Sequence, residues 1–427
     1  MSYPKPPKIP AFRIHKPTGQ AYVYLAGKRR YLGRHDKPET LQAYHRLIAE
    51  WAAHGGQTPA SPDEITIKEL IARFWIHAEQ YYRKPDGTLT SEPGNYRQAL
   101  CPLRELYGDT RAAEFGPRAL QAVRQRMIEL GWCRTNINKH VGRIKSLFRW
   151  ATEQEFAPGS IYQALRAVAG LKRGRCAAQE SDPVKPVPRD AIEAIEPFVS
   201  RQIWALVQLQ LLTAARAGEL VGLCPRDIDR SGRIWIAAPR DHKTAHHGRS
   251  RMIYFGPRAQ GILEPFLLRP DDAALFSPQE AEAARRREVF ERRVTPLHHG
   301  NRAGLNKKAR PQRTVGDVYD VSAYRRAIAR ACDQAFPAPE PLAKRDGESN
   351  RAWGNRLTAK ERDKLAKWQK DHRWHPHQLR HNAATELRRE FGIEVARIIL
   401  GHRSPAITEV YAELDGAKAI EAMLRVG

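Results

Sequence analysis

A charged and then proline-rich stretch, LKRGRCAAQESDPVKPVP (171–188), most constrains how this chain can fold. Pro183, Pro186 and Pro188 lack an amide donor, and each steers the residue before it away from the helical region. A domain boundary is therefore placed there. The chain on either side must build its own core, as a length of 427 residues also implies.

Before the break, Ile65 to about Leu171 is patterned as helix. In Thr135 to Thr152, Ile137, Val141, Ile144, Phe148 and Ala151 fall on one face, with Lys139, Arg143, Lys145 and Arg149 around the remainder. Such a helix suits a domain laid against a phosphate backbone, but it is equally an ordinary surface helix with snorkelling cations. A second linker, HGGQTPASPDE (54–64), isolates the N-terminus. There, residues 11–33 alternate apolar and polar, with turn signals at Pro17-Thr18-Gly19 and Gly27, and predict a three-stranded meander. A helix follows from Pro38 to Ala53, with Leu41, Ala43, Leu47, Ile48 and Trp51 at helical spacing. Lys28, Arg29, Arg30 and Arg34 make the ribbon basic.

After the break the pattern is mixed. Arg201 to Ala214 reads as a buried helix, and 233–237 and 251–255 as short strands around a polar turn. From Pro376 onward everything reads as helix. Residues 296–316 and 337–356, polar and rich in Gly, Pro and charge, read as surface loops within a 270–372 segment of undetermined fold. The expected architecture is multidomain: a small N-terminal β-ribbon plus helix (1–54), an all-α domain (63–175), and a mostly α, α+β domain (187–427).

Composition narrows the partner. Lys and Arg outnumber Asp and Glu by 72 to 47, a net charge of +25, which points to a polyanion, most often nucleic acid. The first residues, MSYPKPPKIP, hold no apolar signal core, and no stretch approaches a membrane span. Cys101, Cys133, Cys176, Cys224 and Cys332 are odd in number and scattered, which argues against a disulfide framework or a zinc ribbon. The expectation is a soluble, cytoplasmic, nucleoid-associated protein with no membrane partner.

Four short segments carry chemistry. In HPHQLRH (375–381), Pro376 suits the first position of a helix, and His377, Arg380 and His381 then share one face. Two such histidines suggest zinc, but the Glu of the HExxH pattern is missing and a cation sits between the ligands. Arg and His on one face suit a phosphate far better. LGHRSPAITEVYAEL (400–414) places His402 before a short helix and Tyr411 near its end. LLTAARAGELVGL (211–223) sets Arg216 and Glu219 three apart, by themselves a surface ion pair of little worth. DHKTAHHGRSRMIYF (241–255) puts Lys243 in the turn of a β-hairpin.

Taken in order, these segments resemble the catalytic domain of tyrosine recombinases, the phage-integrase family. That pattern is an Arg with an acid three residues on, a hairpin Lys, HxLRH, LGH and a Tyr. The resemblance spans about 187–427. The helical segment before it, especially INKHVGRIKSLFRWATEQ, is similar to the family's core-binding domain, and the ribbon to the arm-site-binding module of larger integrases. It implies a site of Arg216, Lys243, His377, Arg380, His402 and Tyr411, with Glu219 and His381 supporting them. It implies no metal and no cofactor. The implied partners are double-stranded DNA, further copies of the chain in a homotetramer on two duplexes, and room for DNA-bending accessory proteins. A terminal helix presenting Ala417, Ile420 and Leu424 would link protomers. Two alternatives stand beside this reading: a type IB topoisomerase-like enzyme, and a DNA-binding relative without activity. The sequence departs from the family at Ala214, where a Gly is usual two residues before the first Arg. An Ala fits if that backbone is helical. The segment between hairpin and HxLRH is also longer than usual.

Overall fold

The computed structural model describes residues 9–25, 28–53, 64–84, 86–239, 251–294, 296 and 315–401. The chain divides into two compact units, Met1–Asp182 and Pro183–Gly427. The described chain is mostly helical with two small antiparallel sheets.

The first unit opens with strands β1 (Arg13–His15), β2 (Gln20–Leu25) and β3 (Lys28–Arg34), paired in that order. A register shift between Ala21 and Tyr22 marks a bulge. Helix α1 (Pro38–Ala53) packs Leu47, Tyr44 and Trp51 onto Val23, Leu25 and Leu32. Leu41, expected on that face, is exposed, because the contacting stripe runs through Tyr44 instead.

Four longer helices and a shorter one follow: α2 (Ile67–Tyr81), α3 (Glu92–Tyr107), α4 (Pro117–Glu129), α5 (Arg134–Glu153) and α6 (Gly159–Arg166). Thr66 and Glu69 form a reciprocal capping box at the start of α2, a device worth about 1 kcal/mol. The apolar stripe of α5 is buried throughout, and Phe148 stacks on Phe115 at 4.9 Å between centroids. Its cations divide. Arg143 makes a two-pronged pair with Glu92 at 3.0 and 3.1 Å, which holds the Glu92 carboxyl below the usual range, and Lys145 donates to the Val168 carbonyl at 2.6 Å. These two serve the domain's own packing, whereas Lys139 and Arg149 are exposed.

The second unit contains α7 (Arg189–Glu193), the buried α8 (Arg201–Thr213) and the single turn α9 (Ala217–Leu220). A meander of β4 (Ile228–Asp229), β5 (Trp235–Ala237) and β6 (Ile253–Phe255) comes next. Then come α10 (Pro257–Leu263), α11 (Pro278–Glu291), α12 (Val321–Ala335), α13 (Asn350–Arg356), α14 (Ala359–His372) and α15 (Pro376–Leu400). One core joins Leu206 and Leu209 of α8, Ile253 and Phe255 of β6, Tyr324 and Ile328 of α12 and Leu379 of α15. Residues 337–356, expected as loop, hold α13: Ser349 caps its start, and Arg356 pairs with Glu348 at 2.9 Å. Helix α15 is kinked at Gly392, whose φ of 85° lies outside the helical region. Among the described residues, no helix is long and apolar enough to cross a membrane.

Candidate active site

The site is built where α8 ends. Ala214 caps α8 at φ 54°, ψ 20°, a left-handed conformation. This corrects the expectation that an alanine fits because the backbone is helical. An L-residue there costs about 1–2 kcal/mol, and glycine is the usual occupant. The cost has an offset. The Ala214 methyl is fully buried against Ala383, Ala384, Ala396 and Leu400, worth about 0.8 kcal/mol, and glycine would lose a further 0.5–1 kcal/mol in chain entropy. Ala214→Gly is therefore expected to leave the unfolding free energy from urea denaturation within about 1 kcal/mol of the parent. Ala214→Val, β-branched in a left-handed cap, is expected to destabilise by 2 kcal/mol or more, about the upper cost of overpacking plus strain.

The left-handed turn throws the chain into the extended residue Arg216 (φ −74°, ψ 147°), which caps α9. Glu219 accepts from the Arg216 backbone N–H at 3.0 Å and from its Nη1 at 2.5 Å. The pair is not the surface contact that spacing alone suggests. Glu219 is only 3% exposed, and a second guanidinium, Arg251 at 6%, donates to it through Nε at 3.3 Å. Burial opposes ionisation of Glu219, but Arg251 and then the backbone bond and charge of Arg216 overcome it and hold the carboxyl below the usual carboxylate range.

Helix α15 brings the histidines and the second arginine. Trp374, buried just before it, donates from Nε1 to the Ala191 carbonyl at 3.1 Å. Asn382 pairs with the Val187 backbone in both directions, at 2.7 and 2.8 Å, much as a strand neighbour would. So anchored, the helix turns Arg380 fully inside. Its Nη1 donates to the Ala214 carbonyl and its Nη2 to the Leu400 carbonyl at 2.6 Å. Both carbonyls lie at helix C-termini, where the partial negative charge favours a cation. His381 is buried, His377 is exposed, and their rings meet edge to face at 5.3 Å.

A cavity of about 360 Å³ lies at this junction, lined by Arg216, Ala217, Gly218, Val321, Arg325, His375, Pro376 and His377. Arg216 and His377, more than 150 positions apart in sequence, thus face one space, and the turn that presents Arg216 is the one whose Ala214 carbonyl Arg380 holds. Three residues here were not singled out from sequence. Arg325 comes from α12, inside the segment whose pattern was read least well. His375 was read only as flanking the motif; burial, then the Arg325 charge, push its imidazole below its ordinary value. Arg251 opens a run that the sequence marks only as a short strand beside a polar turn. Lys243, His402 and Tyr411, like the terminal helix with Ala417, Ile420 and Leu424, lie outside the described residues. Among the described residues no three His, Cys, Asp or Glu side chains converge as a metal site requires. What does converge is planar, permanently charged donors and imidazoles around a concave space, which suits a tetrahedral oxyanion.

Comparison with known proteins gives the same direction. Residues 348–418 match the phage integrase family. No curated protein sequence matches the chain. Among solved structures, a lambda integrase dimer bound to a COC′ core site is 14% identical, covering 97% of this chain and 97% of that one, with a TM-score of 0.50. A Tn1549 transposon integrase in complex with circular intermediate DNA is 15% identical, covering 84% of this chain and 99% of that one, with a TM-score of 0.51. At such identities the likeness is one of fold. The family match spans the helix that carries His377, Arg380 and His381 and continues through Tyr411, so the chain is similar to the phage integrase family over this segment and to these integrases in its fold.

Proposed function

We propose that the chain is a site-specific recombinase that cuts and rejoins double-stranded DNA through a 3′-phosphotyrosine at Tyr411, integrating or excising a mobile element. The observation that carries this reading is the convergence of Arg216 and His377 on one cavity, with Arg380 gripping the turn beside it. A phosphodiester resists attack, and its trigonal-bipyramidal transition state gathers charge on the non-bridging oxygens. Arg216 and Arg380 hold those oxygens and stay charged at any working pH, and His377 and His402 add hydrogen bonds. Tyr411 attacks, its deprotonation eased by these cations. The phosphorus–5′-oxygen bond breaks as the tyrosyl bond forms, and Lys243 gives the leaving 5′-oxygen its proton. Glu219 orients Arg216, and His381 supports His377. The phosphotyrosine conserves the energy of the phosphodiester, so the religation step needs neither metal nor ATP.

The domains follow from this chemistry: 1–54 an arm-type DNA-binding module, 63–175 a core-binding domain, 187–427 the catalytic domain. Both similar integrases described above are DNA complexes. The net charge of +25 supports the same partner, with affinity that falls steeply with salt. The assembly we propose is a homotetramer on two duplexes, joined by the residues after Tyr411, with accessory proteins free to bend the DNA.

The direct test is trapping of a covalent protein–DNA adduct on a nicked core site, with and without EDTA. An adduct that survives EDTA supports the reading, and the absence of any adduct refutes it. The role of Lys243 has its own test. An alkoxide is a poor leaving group without a proton, whereas a thiol of pKa about 8.5 leaves unassisted as thiolate. Lys243→Ala is expected to be slowed severely on normal DNA and largely restored on a strand with sulfur at the bridging 5′ position. Arg216→Ala and Arg380→Ala should gain nothing, since charge develops on the non-bridging oxygens whatever the leaving group. Restoration of His377→Ala instead of Lys243→Ala would make His377 the acid.

A further inference from the structure

Arg251 stands two residues before β6, and it is nearly as buried as the Glu219 it faces. Its guanidinium touches two places far apart in sequence. Nε donates to Glu219 Oε2 at 3.3 Å, on the carboxylate whose other oxygen takes Arg216 Nη1. Nη1 donates to the Ile399 carbonyl at 2.8 Å and to its own neighbour Met252 at 2.7 Å. The next carbonyl along α15, Leu400, is the one Arg380 holds. Two guanidiniums thus fasten consecutive carbonyls of the turn from which the chain leaves toward His402. The packing at this turn is close: a Cβ on Gly401, which sits at φ 64°, would lie 3.1 Å from Arg251 Cδ and Nη1.

This is a poor arrangement for stability alone. Burial pushes the Arg251 guanidinium below its ordinary value against the pull of Glu219. Its Nη2 is buried without a hydrogen-bond partner among the described residues. An apolar side chain of similar volume would cost the fold less than a buried, incompletely satisfied cation. What the guanidinium supplies, and an apolar group cannot, is a fixed distance between the Glu219 carboxylate and the end of α15.

We propose that Arg251 is a positioning residue for strand cleavage: it holds Glu219, and through it Arg216, in line with the end of α15 from which the His402 segment departs. The inference rests on the reading of Arg216 as a phosphate-binding arginine. Arg251 does not touch DNA. Without it, Glu219 relaxes, the Arg216 fork loses its aim, and the charge on the scissile phosphate is met off-centre.

The test compares Arg251→Gln and Arg251→Lys with Arg216→Ala and the parent, in the full chain. Adduct formation is followed in single turnovers on two nicked core sites, one with a normal scissile phosphate and one with a neutral methylphosphonate there. A neutral phosphonate has no oxyanion for Arg216 to meet, so a defect that acts through Arg216 shrinks on it, while a general structural defect does not. Arg251→Gln is expected to slow the phosphate reaction roughly 10- to 100-fold, the scale of a misplacement of about 1 Å, with core-site binding changed less than about 3-fold. On the phosphonate its deficit should fall to a few-fold, in parallel with Arg216→Ala. Arg251→Lys, which keeps the charge but cannot span both acceptors, should lie between Gln and parent. If Arg216→Ala is relieved by the phosphonate and Arg251→Gln is not, this proposal fails and the reading of Arg216 stands. If Arg216→Ala itself is not relieved, the reading of Arg216 fails. Parental rates for Arg251→Gln, or loss of both DNA binding and cooperative unfolding in both Arg251 variants, would equally overturn the positioning role.

Discussion

Tyr411→Phe is expected to bind the core site with parental affinity and to form no covalent adduct at all. The substitution removes one hydroxyl and almost no packing surface, so binding through the phosphate contacts proposed above has no reason to change. The chemistry has no substitute. A ring without its oxygen cannot make a phosphoryl bond, and the cations around the phosphate only lower a barrier that some nucleophile must cross. Single-turnover gel analysis of a nicked core site, alongside a binding titration, measures both properties. Persistent nicking by the variant would mean that another residue attacks, and the roles given to the other side chains would then need to be assigned afresh.

Arg380→Lys is expected to slow adduct formation by about 10²–10³-fold, the scale for loss of one preorganised donor to an oxyanion. Stability should fall much less, by about 1–2 kcal/mol, the cost of leaving one buried acceptor poorly satisfied. The geometry sets the expectation. A planar fork spans the Ala214 and Leu400 carbonyls from one fully buried position, whereas an ammonium is a point donor that must choose between them. Arg380→Ala leaves both carbonyls without that donor and should destabilise by roughly 2–6 kcal/mol, on about 1–3 kcal/mol per orphaned group. Urea denaturation run beside single-turnover cleavage separates the two effects. A Lys variant that cleaves at the parental rate would remove Arg380 from the phosphate site and leave it as a clasp between two helix ends.

The parts of the site that could be read in the sequence are those whose partners lie within one helical turn. Arg216 and Glu219 are three apart, and the side chains of HPHQLRH are consecutive on one helix, so spacing alone puts each set together. The conformation of Ala214 was misread because Ala is compatible with right-handed helix, and only the packing of its methyl among Ala383, Ala384 and Ala396 shows why a left-handed alanine persists. Arg251 escaped notice because its acceptors, Glu219 and the Ile399 carbonyl, stand 32 and 148 positions away. No local pattern records such a pairing. Arg325 and His375 were invisible as site residues for the same reason: a cavity wall is assembled from α9, α12 and α15.

Periodicity and turn chemistry act over a few residues, and they determined the ribbon, the helices on both sides of the proline-rich break, and the order of the motif residues along the chain. Which cations are free to meet a ligand was decided only by the tertiary structure. Arg143 and Arg216 look alike in sequence, each on or beside a helix with apolar neighbours. Arg143 meets Glu92, 51 residues away, and is spent inside its domain, whereas Arg216 shares its carboxylate with Arg251 and keeps a face on the cavity. A charge is stabilised by whatever opposite charge or dipole the fold brings within a few ångströms, and that neighbour is set by long-range packing rather than by the residues beside it in the chain.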